Sequence, residues 1–141
     1  MAVTANQLIR CSEAGDRVKL PVAAITTLYQ GTIAFIQRTS GSDEGYGTGL
    51  DNNGANDFAG IVIEKADNSA GAAGDVAAEV YQKGAFVLPG TGFTQSLVGD
   101  MAYATDNYTV TADGTNAERI GTFVEYISTT LMKVRISSQR F

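Results

Sequence analysis

The sequence predicts a mainly β domain, a small β-barrel or β-sandwich of about eight or nine short strands with an extended N-terminal arm. Apolar residues alternate with polar ones over short stretches, and turn-forming residues separate these stretches at intervals of about 8–12 residues. Glycine is frequent, at 16 of the 141 residues, whereas proline occurs only twice. Because no stretch has a convincing helical period of ten residues, we expect strands joined by glycine-rich turns.

The first 16 residues are interpreted as the arm, since residues 1–6 have no apolar period and residues 12–16 have the composition of a turn. Chain ends are loose unless other segments hold them. Within this arm, Leu8 and Ile9 form a short apolar step. We expect this step either to fold back onto the domain or to bury against a partner.

The first regular strand is predicted at residues 17–22, where apolar side chains alternate with Arg17 and Lys19. Pro21 lacks an amide hydrogen, which places this strand at a sheet edge or makes Pro21 its end. Further strands are predicted at residues 32–37, 58–64, 76–82, 85–88, 101–104, 108–111, 120–127 and 130–136, with a bulge or tight turn at 83–84 and one helical turn at 94–98. The glycine-rich loop 39–57 is long for a compact domain, which predicts a functional or mobile segment.

Charge is concentrated in the middle of the chain. Residues 41–118 carry twelve acidic and two basic side chains, while both flanking segments are net basic and the whole chain has a net charge of −5. An acidic body repels phosphate backbones, so we expect no nucleic-acid partner. No apolar run is long enough for a membrane span, and the first twenty residues do not have the pattern of a secretory signal.

Several kinds of chemistry are excluded by residue type. The chain has no histidine, which removes the usual general base and the Ser-His-Asp triad. Cys11 is the only cysteine, so neither an intrachain disulfide nor a zinc knuckle can form. The pairs of carboxylates are no more numerous than fifteen acidic residues give by accident. We therefore predict no enzyme, no catalytic residue and no cofactor.

Two loops have a composition that is compatible with a ligand site. Residues 51–57 are rich in carboxylate and amide oxygens, but the spacing of an EF-hand fails because loop position 6 is Asn56 and position 12 is Val62. A calcium site of another type stays open there, although a plain surface loop is the favoured interpretation. Residues 45–49 have the glycines of a phosphate loop without its lysine or helix. We predict no metal site.

The order of several short motifs resembles one protein family. The motifs are residues 20–24 (LPVAA), 28–34 (LYQGTIA), 58–62 (FAGIV), 67–75 (DNSAGAAGD), 79–80, 84–86, 98–103, 108–110 and 120–122. In this order and spacing the chain resembles the bacteriophage head decoration proteins, also called capsid cement proteins. The family has no catalytic signature, so no active-site residue carries over. The final residues 137–141 depart from the family pattern and have no assigned role.

The resemblance implies a β-rich cement domain at residues 17–136 on the outer surface of an expanded capsid. The implied partners are the major capsid protein and the chain itself, as a homotrimer, with the protein made in the cytoplasm of the host bacterium. The arm would cross neighbouring subunits and add a strand to an exposed edge. The candidate capsid contacts are four apolar anchors and three cations, namely Leu8, Ile9, Val18 and Leu20 with Arg10, Arg17 and Lys19.

Two other functions stay open at this point. A phage tail structural module would polymerise by itself. A module on the virion that binds cell-surface glycans would use loop 41–57, where Tyr46 and Phe58 lie in or beside the loop and could stack on a sugar ring.

Overall fold

The structure, a computed structural model, describes residues 2–8, 11–14 and 16–137. Within these residues there are thirteen strands, one 3-10 turn and no α-helix, and no helix there could span a membrane. The strands are β1 (Cys11–Ala14), β2 (Arg17–Pro21), β3 (Thr26–Leu28), β4 (Ile33–Ile36), β5 (Gly47–Thr48), β6 (Asp57–Val62), β7 (Ala66–Asn68), β8 (Ala77–Tyr81), β9 (Lys83–Pro89), β10 (Met101–Ala104), β11 (Val110–Thr111), β12 (Glu118–Ser128) and β13 (Leu131–Ser137), and the 3-10 turn is Gln95–Leu97.

The strands form three separate sheets. A six-stranded sheet has the order β1-β9-β13-β12-β10-β11, a five-stranded sheet has the order β2-β8-β6-β4-β5, and β3 pairs with β7 in a two-stranded sheet. Every strand pair in these sheets is antiparallel. The prediction of a mainly β fold is confirmed, and the two larger sheets give it the form of a sandwich rather than one closed barrel.

The main core lies between the two larger sheets. Its fully buried residues include four phenylalanines, Phe35, Phe86, Phe93 and Phe123, and the rings of Phe93 and Phe123 meet edge to face with 5.6 Å between centroids. In β13 the inward side chains are Met132, Val134 and Ile136, as the sequence alternation predicts. This apolar burial provides most of the free energy that stabilises the fold.

A second apolar cluster covers the other face of the five-stranded sheet. All four residues of β4 are buried, because Ile33 and Phe35 face the main core while Ala34 and Ile36 face this second cluster. Leu28 of β3 and Ala66 of β7 belong to the same cluster. The small β3–β7 sheet is therefore a third layer, which keeps the inner strands covered on both sides.

One antiparallel ribbon passes from one large sheet into the other. Strand β1 pairs with β9 in the six-stranded sheet, and β2 pairs with β8 in the five-stranded sheet. At the crossing the amide of Gln82 donates to the Asp16 carbonyl at 2.8 Å, and Gly84 has a φ of 124°. A positive φ of this kind favours glycine. Lys83 and Gly84 are regularly paired residues of β9, not the predicted bulge or tight turn.

All nine predicted strands are present, with boundaries that move by a few residues, and the predicted helical turn is the 3-10 turn. Pro21 ends β2, which is an edge strand as expected. Four further strands, β1, β3, β5 and β7, were not predicted from the sequence. Part of the segment interpreted as a loose arm, Cys11–Ala14, is thus a strand of the six-stranded sheet.

Candidate functional site

Residues 2–8 of the predicted arm lie against the body and are held there by a buried side chain. Asn107 is buried, and its amide pairs with the backbone of Val3 in both directions. The Val3 amide donates to Asn107 Oδ1 at 3.0 Å, and Asn107 Nδ2 donates to the Val3 carbonyl at 3.1 Å. The side chain of Asn107 therefore acts toward the arm as one residue of a neighbouring strand would.

A second pair of hydrogen bonds holds the arm four residues further on. The Gln30 amide donates to Asn6 Oδ1 at 3.1 Å, and the Gln7 amide donates to the Gln30 carbonyl at 2.5 Å. Gly31 is required beside this contact, since a Cβ there would lie 2.5 Å from the Gln7 carbonyl oxygen and φ is 78°. The arm thus has two fixed points on the body before it reaches Leu8.

Leu8, the first residue of the apolar step in the arm, is also the first of the predicted capsid contacts. Leu8 is 76% exposed, so its side chain does not fold back onto the domain. Ile9 and Arg10, the next two predicted contacts, lie outside the described residues. Of the two positions expected for Leu8, burial against the domain is not found, and burial against a partner stays a prediction.

The predicted contacts on β2 divide between surface and core. Arg17 and Lys19 are exposed, and Arg17 lies 3.7 Å from Glu79 and 5.5 Å from the ring centre of Tyr81. Val18 is partly buried and packs on the second cluster, whereas Leu20 is 6% exposed and belongs to that cluster. The side chain of Leu20 therefore serves the core and is not presented at the surface.

A shallow surface cleft of about 230 Å³ lies beside Lys19. Its charged lining alternates in sign, with Lys19 and Lys65 against Glu64 and Glu79. Because the two signs balance, the cleft does not select an anion or a cation. We assign it no ligand.

Two carboxylates close to the arm have pKa values shifted in opposite directions. Burial raises the pKa of Asp51, and the nearby charge of Asp106 raises it further. Burial acts in the same direction on Asp106, but hydrogen bonds, including those from the amides of Tyr108 and Thr109, bring its pKa below the ordinary carboxyl value. The amides of the turn that also contains Asn107 are thus among the donors that stabilise the Asp106 carboxylate.

Loop 41–57 is more ordered than the sequence suggests, because it contains β5 and is fixed by a buried amide. Asn56 Nδ2 donates to the Leu50 carbonyl at 2.9 Å, and Asn56 Oδ1 accepts from the amide of Arg38 at 3.0 Å. Among the described residues, no group of three or more acidic or cysteine side chains is placed to hold a metal ion. Phe58 is buried in the main core, so only Tyr46 is left as a stacking surface for a sugar.

The most exposed large apolar side chains belong to connected segments. Leu8, Ile25 and Leu50 are exposed by 76%, 78% and 66%, compared with 37–48% for Val98, Met101 and Ile127. Leu8, Ile25 and Leu50 lie on five segments that hydrogen bonds, strand pairing and close packing join to one another. We call these segments the arm end, and they are residues 2–8, 22–31, 47–56, 66–75 and 106–107. The other three lie on β10, β12 and the turn after Gln95–Leu97.

Comparison of the chain with protein-family models and with curated proteins found no match.

Sequence reasoning did not find the two fixing points of the arm. Asn107 follows Asp106 in a short connection between strands, where asparagine is typical of any turn. Gln30 contributes only backbone groups, which leave no sequence signal. Gly31 is the residue of this contact that carries a sequence signal, since an isolated glycine beside a strand can mark a close approach of another backbone segment.

Proposed function

We propose that this protein is a phage capsid cement protein. It binds the outside of an expanded shell, contacts neighbouring major capsid proteins through its N-terminal segment and acts as a homotrimer on the virion. The family resemblance of residues 17–136 motivates the proposal, and the mainly β sandwich fits it. The observation that carries it furthest is Leu8, an apolar side chain left exposed on an arm whose backbone is fixed to the body.

The fixed arm has a thermodynamic advantage for binding. A fully loose segment loses backbone freedom when it binds, which weakens the complex. Residues 3, 6 and 7 are already hydrogen-bonded to the body, so part of this backbone entropy is lost on folding and not on binding. Leu8 then follows an ordered segment, and its burial against the shell contributes directly to affinity.

Copies of the chain would act together on the shell. An icosahedral lattice offers many equivalent sites, and linked contacts raise affinity through effective concentration. The exposed cations Arg17 and Lys19 lie on β2, the edge strand that follows the arm. They add electrostatic attraction to acidic groups of the shell, which chiefly affects the rate of association.

Co-sedimentation with undecorated, expanded heads of the cognate phage tests the proposal. We expect saturable pelleting at a fixed ratio to capsid subunits. Leu8→Ser should weaken binding by about tenfold or more, the loss expected for one buried leucine. The matched control is Ile127→Ser, which removes an exposed apolar side chain from β12, far from the arm in the chain, and should bind as the intact protein does.

A second variant for the same co-sedimentation test lacks residues 2–8 and keeps β1. The deleted protein should stay folded and bind heads more weakly. If the intact protein does not pellet at micromolar concentration, the cement function is wrong. Rings or tubes in electron micrographs of the concentrated pure protein would then indicate a tail module, and binding on a glycan array would indicate a sugar-binding one.

A further inference from the structure

Ile25 combines two features that are unfavourable for an isolated molecule. Its backbone is left-handed, with a φ of 54°, and its side chain is 78% exposed. In the described residues the other non-glycine residues with positive φ are all asparagines, Asn52, Asn53 and Asn116. A β-branched residue is a clear outlier in this region, where glycine or asparagine has little strain. Neither folding nor solubility explains an isoleucine here.

The turn that carries Ile25 is fixed by separate parts of the chain. The amide of Ala24 donates to Asp43 Oδ1 at 3.3 Å, and the amide of Ile25 donates to the Gly71 carbonyl at 3.3 Å. Thr26 Oγ1 donates to the Ala24 carbonyl at 3.0 Å. The exposed side chain is therefore presented on a rigid support, not on a loose loop.

A buried asparagine completes this support. Asn68 Nδ2 lies within hydrogen-bond distance of the carbonyls of Val22, Ala23 and Ala72, at 3.3, 3.0 and 2.9 Å. Gly71 packs so closely that a Cβ would lie 2.1 Å from Asn68 Oδ1. Asn68 thus joins the strand end before Ile25 to the 69–75 turn and is a positioning residue.

The surroundings of Ile25 are acidic. The segments that form the support, residues 22–28, 41–48 and 66–76, contain four acidic residues and no lysine or arginine, the acids being Asp43, Glu44, Asp67 and Asp75. The bases closest to these segments along the chain are Lys19 and Arg38, each three residues before a segment, and Lys65, directly before residue 66. The ammonium of Lys65 lies 5.6 Å from the ring centre of Tyr29. An apolar side chain inside an acidic rim complements an apolar pocket inside a basic rim. Phosphate-rich surfaces of nucleic acid or anionic membrane do not fit it.

We propose that Ile25 is the anchor of a second docking point, separate from Leu8, and that its occupant is an apolar pocket rimmed by lysine or arginine side chains on the shell subunit. This inference rests on the proposed capsid function. Rigid presentation lowers the entropy lost on binding, and the buried isoleucine supplies the affinity. Strained residues of this kind are typical of functional sites.

The test is co-sedimentation with expanded heads, using Ile25→Gly and Ile25→Asn. Both replacements suit a left-handed backbone, so the melting temperature should stay the same or rise. Binding to heads should fall by about tenfold to a hundredfold, as expected for loss of a buried isoleucine. Glu44→Gln tests the rim and should weaken binding more at low salt than at high salt, whereas Asp113→Asn, which removes one charge outside the supporting segments, should not.

The outcomes separate the two proposals. If the intact protein pellets with heads and both Ile25 variants pellet equally well, the second docking point is wrong and the cement function stands. If the intact protein does not pellet, the cement function is wrong and this inference falls with it. If Ile25→Gly instead changes the oligomeric state of the free protein in analytical ultracentrifugation, the occupant is a second copy of the chain and the proposed pocket is wrong.

Discussion

The main core and the arm end are held together by different chemistry. Between the two large sheets the buried residues are apolar, and the four fully buried phenylalanines are the largest of them. At the arm end, three buried asparagines, Asn56, Asn68 and Asn107, hold loop backbone through their side-chain amides. One region depends on apolar area removed from water, and the other depends on hydrogen bonds of fixed direction.

Because of this difference, the main core supplies most of the stability, whereas the arm end fixes the positions of exposed side chains. Apolar burial is non-directional, so the core can tolerate small shifts of its side chains. An amide bonded to backbone fixes one loop against another and leaves orphaned polar groups when it is removed. The arm end can therefore present exposed side chains such as Leu8 and Ile25 in defined positions, although it contributes less to the free energy of unfolding.

Phe123→Ala in the main core should have the largest effect. The replacement removes a fully buried ring and its edge-to-face partner contact with Phe93, which costs about 3–5 kcal/mol. Denaturant unfolding measures the loss. Ile127→Ala on the same strand, where the side chain is exposed, should change the stability by less than about 1 kcal/mol. Equal losses in the two variants would contradict this view of the core.

Asn68→Ala should have the next largest effect. The two amide hydrogens of Asn68 are shared among three carbonyls, and their loss leaves the Ala23 carbonyl without this donor, so we expect a loss of about 2–3 kcal/mol. Gln95→Ala, an exposed amide on the 3-10 turn, is the control and should be nearly neutral. If Asn68→Ala also leaves head binding intact, the support of Ile25 is less important than proposed.

Asn107→Ala should cost about 1–2 kcal/mol because it breaks only the pair of hydrogen bonds to Val3. Hydrogen exchange of the Val3 amide should become faster while amides of the central strands keep their protection. In a protein that lacks residues 2–8 the same substitution should have a smaller effect, since the partner is gone. An equal effect in both backgrounds would mean that Asn107 does not hold the arm.

The smallest effects should come from the carboxylates beside the arm. The lowered pKa of Asp106 means that its carboxylate stabilises the fold above the ordinary carboxyl pKa, and that this contribution is lost as the pH falls through the folded-state value. The raised pKa of Asp51 has the opposite sign, so stability is gained as the pH falls through its folded-state value. Asp106→Asn should therefore make the loss of stability in acid shallower, and Asp51→Asn should make it steeper. Melting temperatures between about pH 2.5 and pH 6 measure both slopes, and a change in the same direction for both variants would contradict the assignment.

Most of the fold could be predicted because the main core uses strict alternation. In β13, for example, Met132, Val134 and Ile136 face inward while Lys133 and Arg135 alternate with them. The missed strands β1, β3, β5 and β7 are two to four residues long and have no clear alternation. They exist because distant segments pair with them, which a local pattern does not contain.

The candidate site was only partly predictable for a similar reason. The apolar step at Leu8 is visible in the sequence, but its exposure was only compatible with one of two alternatives. Leu20 was predicted as a capsid contact, although its place in an alternating strand is also that of a core residue. The amide contacts of Asn68 and Asn107 depend on which loops meet in three dimensions. The exposed Ile25 gave no signal at all, because its left-handed backbone is fixed by Asp43 and Gly71, both distant in the sequence.

The place of β13 has a consequence for how the protein is made. This strand lies in the middle of the six-stranded sheet, between β9 and β12. Until residue 137 has been synthesised, β9 and β12 have no strand between them and expose unpaired backbone edges. The six-stranded sheet must therefore close after synthesis of β13, and a ribosome that stops before this strand would release a chain prone to aggregation through those edges.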